Sequence, residues 1–267
     1  MSFTVTPLVM AYGPRREKSR FTFLHNFGEK IDLPYVSWLL SDADRGLNVL
    51  VDVGCSADEY DQHIKQGGSD HFRHAGEEFD DVTDIRPLDD LLAERGLETS
   101  DIDFVVLTHL DWDHCMNLPL FPDSRVLLQR SEWEALPPHP FIASGFAPDY
   151  RYAEMERRGV ELLDGDREIV PGLEVMLTPG HTPGGQSVKV ETPRGRYVIA
   201  GLCTIMENYY PPEEVLATAR YEVIPPGGHT DLFAAYDSLL RIRDESGGRE
   251  KLLPVHHLDA FTMEAIT

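Results

Sequence analysis

Residues 102–114 read Ile102-Asp103-Phe104-Val105-Val106-Leu107-Thr108-His109-Leu110-Asp111-Trp112-Asp113-His114. The short apolar run ending at Leu107 fits a buried strand. Directly behind it come His109, Asp111, Asp113 and His114, four metal-ligating side chains within six residues. A strand end lets such side chains converge on one cleft, whereas a helix would distribute them around its axis. Imidazole together with carboxylate is the donor set of hydrolytic zinc, manganese or iron sites. A solvated polar loop explains one such residue. Four of them in this order, after Val-Val-Leu-Thr, point to a metal centre.

Upstream, Tyr35 to Asp52 reads as a hairpin, with Val36–Leu40 and Leu47–Val51 flanking the turn Asp42-Ala43-Asp44-Arg45-Gly46. Residues 56–84 are polar, rich in His, Gly and Asp, and without period, so they read as an active-site loop or lid. Pro87 to Arg95 has a helical pattern with Gly96 as its stop. Downstream the plan repeats. Arg125–Gln129 and Leu173–Leu177 read as strands, and Ser131–Leu136 as a helical turn. A second hairpin pairs Ser187–Val190 with Arg196–Ala200, and a helix from about Asp231 to Arg243 is closed by Gly247-Gly248. No low-complexity linker divides the chain, so residues 1–267 are expected to form one domain. The alternation predicts two sheets packed face to face with helices outside.

Composition narrows the partners. The 267 residues carry 24 Lys plus Arg against 46 Asp plus Glu, a formal charge of −22. So acidic a surface repels phosphate backbones and anionic lipid, which argues against nucleic-acid and membrane partners and leaves a small molecule as the expected substrate. With 42% hydrophobic and 26% charged residues the chain has a globular profile. No window approaches the roughly 18 apolar residues of a membrane span. The basic cluster Arg15-Arg16-Glu17-Lys18 comes after a short mixed segment, unlike a signal peptide. Three widely spaced cysteines, Cys55, Cys115 and Cys203, make a disulfide framework improbable and a cytoplasmic location the expectation. Oligomeric state is not written in these features; exposed apolar residues within Phe141–Tyr152 would either pair subunits into a homodimer or cap the pocket.

Later segments sharpen the metal reading. His181 lies in Thr178-Pro179-Gly180-His181-Thr182-Pro183-Gly184, and His256 follows Leu252-Leu253-Pro254-Val255. Together with Val51-Asp52-Val53-Gly54, Leu107-Thr108-His109, Asp113-His114-Cys115 and Glu207-Asn208, these segments occur in an order that resembles the metallo-β-lactamase superfamily, within it the N-acyl homoserine lactonase-like branch. The resemblance spans Tyr35 to about Asp259. It implies an α/β fold, an αββα sandwich of two mixed β-sheets flanked by helices. It also implies one or two divalent metal ions (zinc, manganese or iron) held by His109, Asp111, Asp113, His114, His181 and His256. The activity it implies is hydrolysis of a small lactone or related ester by metal-activated water, with Asp113 passing a proton to the leaving alkoxide. Rival readings are hydrolysis of a thioester, amide or aryl ester, a di-iron redox protein, and a non-catalytic metal- or metabolite-binding descendant.

The match has four departures. Asp111 stands where the family's second histidine is usual; its hard oxygen moves metal preference toward manganese or iron, and family members with an acidic residue there are di-iron proteins. The carboxylate that bridges two metals falls at Gly201 or Leu202, neither of which has an oxygen ligand. His257 occupies the place where an Asp often follows the last histidine, and is a candidate metal ligand or a support to one in place of the bridging carboxylate. The substrate-positioning tyrosine of the lactonases falls at Thr204 or Ile205, leaving Tyr209 and Tyr210 as candidate substrate contacts. Cys203 is a candidate thiolate ligand, though a lone cysteine at a strand end is more often a small buried hydrophobe. Asp52 reads as a carboxylate that orients a ligand. Trp112 reads as packing with a role at the pocket mouth, and Cys115 as buried. His63, His71, His74 and His229 read as loop or turn residues, with His229 also a candidate substrate contact. Neither a P-loop nor a Gly-x-Ser-x-Gly elbow is present.

Overall fold

The computed structural model describes residues 2–62, 81–136, 149–218 and 220–267. Among the described residues seven strands form the first sheet: β1 (Thr4–Glu17), β2 (Lys30–Asp42), β3 (Leu47–Val51), β4 (Thr83–Asp84), β5 (Phe104–Val106), β6 (Arg125–Gln129) and β7 (Glu161–Leu163), in the spatial order β4-β1-β2-β3-β5-β6-β7. β1, β2 and β3 pair antiparallel, whereas β3, β5, β6 and β7 run parallel. The second sheet holds β8 (Arg167–Val170), β9 (Leu173–Leu177), β10 (Gln186–Thr192), β11 (Gly195–Ala200) and β12 (Leu252–Pro254), in the order β12-β11-β10-β9-β8. Only its β11–β12 pair is parallel. Both sheets are therefore mixed.

Alternation along the strands builds three apolar layers, because successive side chains face opposite sides of a sheet. Trp38, Leu40, Val49, Val51 and Val106 from the first sheet meet Val175, Val188, Ile199 and Leu253 from the second, forming the core between them. Leu39, Leu50, Val105 and Leu128 point the other way, toward Leu88, Leu92 and Met155 on helices. On the far side, Met176, Val198 and Ala200 pack against Ala235, Leu239 and Ile242 of the long helix Leu232–Ser246. The order helix, sheet, sheet, helix is the expected αββα sandwich. Asp231 caps that helix by accepting from Phe233 N and Ala234 N, and Gly247 closes it in the left-handed region, close to the sequence expectation.

Two elements differ from expectation. The N-terminal segment, read only as a short mixed stretch, is the 14-residue strand β1. Its burial lacks clean alternation because register shifts interrupt its pairing with β2 between Val9 and Ala11 and between Gly13 and Arg16. The proposed loop at 56–84 has ordered ends, a helical turn at Ala57–Tyr60 capped by Ser56 and the strand β4, while residues 63–80 lie outside the described residues. No described helix is long and apolar enough to cross a membrane.

Candidate metal centre

All six expected ligands leave strand ends on one edge of the sandwich. His109–His114 follow β5, His181 follows β9, and His256 follows β12. They gather into two groups, His109 with Asp111 and His181, and Asp113 with His114 and His256. The groups adjoin, with the His109 and His114 rings 4.0 Å apart between centroids. In the first, Asp111 Oδ2 lies 3.6 Å from His109 Nε2 and 3.0 Å from His181 Nε2. In the second, Asp113 Oδ2 lies 3.7 Å from His114 Nε2 and 3.6 Å from His256 Nε2. Donors about 2.1 Å from a tetrahedral ion sit about 3.4 Å from one another, so both sets are spaced for a cation.

The far sides of the imidazoles decide which nitrogen faces inward. His114 Nδ1 donates to Asp52 Oδ2 (2.7 Å), His181 Nδ1 to Gly228 O (2.8 Å) and His256 Nδ1 to Pro34 O (3.1 Å). Thr108 Oγ1 donates to Asp52 Oδ2 (2.8 Å), so its oxygen accepts from His109 Nδ1 (2.9 Å). These bonds turn every Nε2 toward the centre, that of His181 onto Asp111 Oδ2. The Nε2 atoms of His109, His114 and His256 are buried and, among the described residues, have no hydrogen-bond partner. Unpaired buried polar atoms are costly, and three converging on two carboxylates fit a divalent cation. Burial holds the pKa of His109 and of His256 down at about 4, which keeps both imidazoles neutral and able to ligate. Burial also opposes charge on His114, but the carboxylates of Asp113 and Asp52 outweigh it and lift that pKa to about 9. Asp113, His114 and His256 could hold a cation only if His114 gave up that proton.

The sequence reading missed the residues that hold the loops to one another. Glu132, fully buried on the helix Arg130–Glu134, accepts from Leu110 N (3.0 Å) through Oε1 and from Gly184 N (2.9 Å) through Oε2. One carboxylate thus ties the loop of His109 and Asp111 to the loop of His181, and burial pushes its carboxyl pKa up. Beneath it, Gln186 joins the sheets: its backbone N donates to Thr108 O (2.9 Å) and its side-chain Nε2 to Leu107 O (2.7 Å). In the His181 turn, Gly180 adopts φ +130°, and a Cβ there would strike the backbone of Ala235, so only glycine lets the turn lie on the long helix. Glu132→Gln retains a single acceptor for two buried N–H groups. It should cost about 1–3 kcal/mol, read as a lowered urea midpoint with unchanged slope.

Other expected site residues lie elsewhere or act from behind. Asp52 joins neither group; fully buried at φ +60°, it accepts from Thr108 N (2.7 Å), Thr108 Oγ1 and His114 Nδ1. Cys203 is half-buried, with a thiol pKa that burial, Asp113 and Asp111 all raise, and it stands outside both groups. His257 is turned onto the Trp38 ring (6.3 Å between centroids) and also contributes to neither group. Tyr209, expected at the substrate, is fully buried in the layer under the long helix and bonds Thr204 Oγ1 (2.9 Å), its apolar ring taking the core position. Tyr210 lies against the same layer, with the Arg249 guanidinium 5.7 Å from its ring. Trp112 is buried between Tyr35 and Tyr60. His229 packs edge-on against Phe23 and bonds Pro226 O, beside the Gly228 carbonyl that holds His181. His63, His71, His74 and the segment 141–148 lie outside the described residues.

A sandwich of two mixed sheets with paired His/Asp groups at one edge defines a class, and the comparison of sequences names it. The chain belongs to the metallo-beta-lactamase superfamily, whose pattern matches residues 32–245. Within it the chain is lactonase-like: it is 29% identical over 183 residues to an N-acyl homoserine lactonase of Bacillus sp, covering 68% of this chain and 67% of that one. In fold it is similar to an N-acyl homoserine lactone hydrolase solved with N-hexanoyl-L-homoserine at its catalytic metal centre (TM-score 0.67, 21% identity, 97% of this chain and 94% of that one). A similar sandwich occurs in AidC, a dizinc quorum-quenching lactonase (TM-score 0.61, 16% identity, 95% and 87%).

Proposed function

We propose that this chain is a metal-dependent hydrolase that opens the ring of a small lactone, with N-acyl homoserine lactones as the first class to test. The observation that carries the reading is the convergence of three partnerless, buried Nε2 atoms on Asp111 and Asp113. The names of the similar proteins supply the substrate class. When bound, a divalent cation lowers the pKa of water toward about 7 and polarises a carbonyl oxygen. Each group has two imidazoles and one carboxylate, a donor set that suits manganese or iron as well as zinc.

The chain's own residues do the rest. His109, Asp111 and His181 would hold one cation, and Asp113, His114 and His256 another. Asp52 and Thr108 fix the imidazoles from behind, so the donors are in place before substrate arrives. Asp113 takes the proton of the attacking water on Oδ1 and returns it to the ring oxygen as the acyl C–O bond breaks, yielding hydroxyl and carboxylate.

A pH-stat assay on protein loaded separately with manganese, iron and zinc tests this. N-hexanoyl homoserine lactone should consume base well above the uncatalysed rate, and faster than a linear ester or thioester of equal chain length. A preference for thioester or aryl ester would move the substrate class while keeping hydrolysis. Oxygen consumption by iron-loaded protein, without base uptake, would favour the redox reading that Asp111 raises.

A further inference from the structure

We propose that the centre takes up two cations one after the other, into two places that share no protein ligand, and that the place built by Asp113, His114 and His256 fills first. The inference rests on the metal-dependent reading above, and concerns how this chain departs from a shared-ligand centre.

Among the described residues none belongs to both groups, and each group has its own single carboxylate. The position where the resemblance would put a shared carboxylate has no room for a side chain. At the end of β11, a Cβ on Gly201 would run into Gln186 O and come within 2.8 Å of Thr108 Cβ. Gln186 and Thr108 are the residues that join the two sheets, so neither can retreat without parting them. The next residue, Leu202, is fully buried in the layer under the long helix. Each cation would thus have a carboxylate of its own, Asp111 or Asp113, and among the described residues no carboxylate is shared by the two groups. Repulsion between the two cations is left to oppose the second uptake.

The two places are also unequal. Behind His114 stands the carboxylate of Asp52, itself fixed by both Thr108 donors, and a carboxylate-backed imidazole is a more basic and better oriented ligand. His256 is held by Pro34 O in the buried interior, and the two side chains are 2% and 1% exposed. In the other group His109 has only the Thr108 hydroxyl behind it. His181, 10% exposed, is held by a carbonyl in the outer turn at Gly228. His109 is as buried as His114 or His256, but the carboxylate behind His114 and the more exposed turn that carries His181 both favour the Asp113 group.

The test titrates manganese(II) into metal-free full-length protein and reads free manganese by electron paramagnetic resonance, for wild type, Asp111→Asn and Asp113→Asn. Wild type should bind two ions per chain in two separate steps. Asp111→Asn should keep the tight step within about tenfold and lose the weak one, whereas Asp113→Asn should lose the tight step by more than about a hundredfold and keep the weak one, since removing a ligand exceeds the 10- to 100-fold of an outer partner. Circular dichroism checks that each variant folds, and His181→Asn replaces Asp111→Asn if that variant does not. Uptake of both ions in one step, loss of both steps in Asp111→Asn, or loss of the tight step in that variant alone overturns the proposal. Two-step uptake without lactone turnover would sink the lactonase reading and leave this inference standing. One-step uptake with turnover intact would do the reverse, and fewer than one ion per chain would end both.

Discussion

Asp113→Asn should give a folded protein whose lactone turnover is lower by about 1,000-fold or more, within the 10²- to 10⁴-fold that positioned proton transfer contributes. The substitution keeps the side chain's volume in a site where Asp113 is 12% exposed, so packing around Tyr35, Trp112 and His256 has no reason to change. What it removes is charge. Oδ2 faces His114 Nε2 at 3.7 Å and His256 Nε2 at 3.6 Å, and an amide there offers those nitrogens a neutral group in place of an anion. The proton carrier for the leaving oxygen is lost with the same atom pair. The measurement is kcat/KM by pH-stat, with metal content and thermal melting recorded on the same sample. A rate within tenfold of wild type, with metal retained, would take Asp113 out of the proton-transfer role.

Asp52→Ala should be the most destabilising of these changes, by about 3–5 kcal/mol. The carboxylate is fully buried and serves three donors at once, Thr108 N, Thr108 Oγ1 and His114 Nδ1. Alanine leaves all three unpaired in the interior. It also suits the backbone poorly, because Asp52 sits at φ +60°, where Asp and Asn are tolerated and a residue without a local hydrogen-bonding side chain is strained. Urea unfolding should show a lower midpoint with an unchanged slope. Asp52→Asn separates the structural from the chemical part. It accepts the backbone conformation, so most stability should remain. Its amide N–H, however, can donate to His114 Nδ1, which drives the ring proton to Nε2 and takes that nitrogen away from a metal. Metal affinity should then fall by about 10- to 100-fold with little change in the urea midpoint. An Asn variant that binds metal normally would show that the His114 tautomer is not set from behind by Asp52.

Much of the architecture was legible because it depends on neighbours in sequence. The hairpin read at Tyr35–Asp52, the buried strand around Phe104–Val106 and the helix read at about Asp231–Arg243 each follow from periodicity and turn chemistry within a few residues, though β2 begins earlier, at Lys30, and the helix runs on to Ser246. β1 did not stand out, since its two irregularities break the alternation that identifies a strand. The metal-ligating residue types were equally visible, as six His and Asp behind apolar runs. Tyr209 differs from the expectation because a tyrosine near a site reads in sequence like a tyrosine in one, and only its burial and its bond to Thr204 inside the core tell them apart.

By itself, then, the order of residues determined the layers, the edge at which the chemistry collects and the kinds of donor gathered there, because backbone geometry and side-chain period act over a handful of positions. Tertiary packing decided how those donors divide. Asp111 and Asp113, two residues apart, go to different groups because Asp111 meets His181 from 70 positions away while Asp113 meets His256, which follows another strand. Glu132 likewise becomes a clamp only through partners 22 and 52 residues distant. Such pairings are set by which strand ends the closed sandwich brings together, and no local pattern carries that distance.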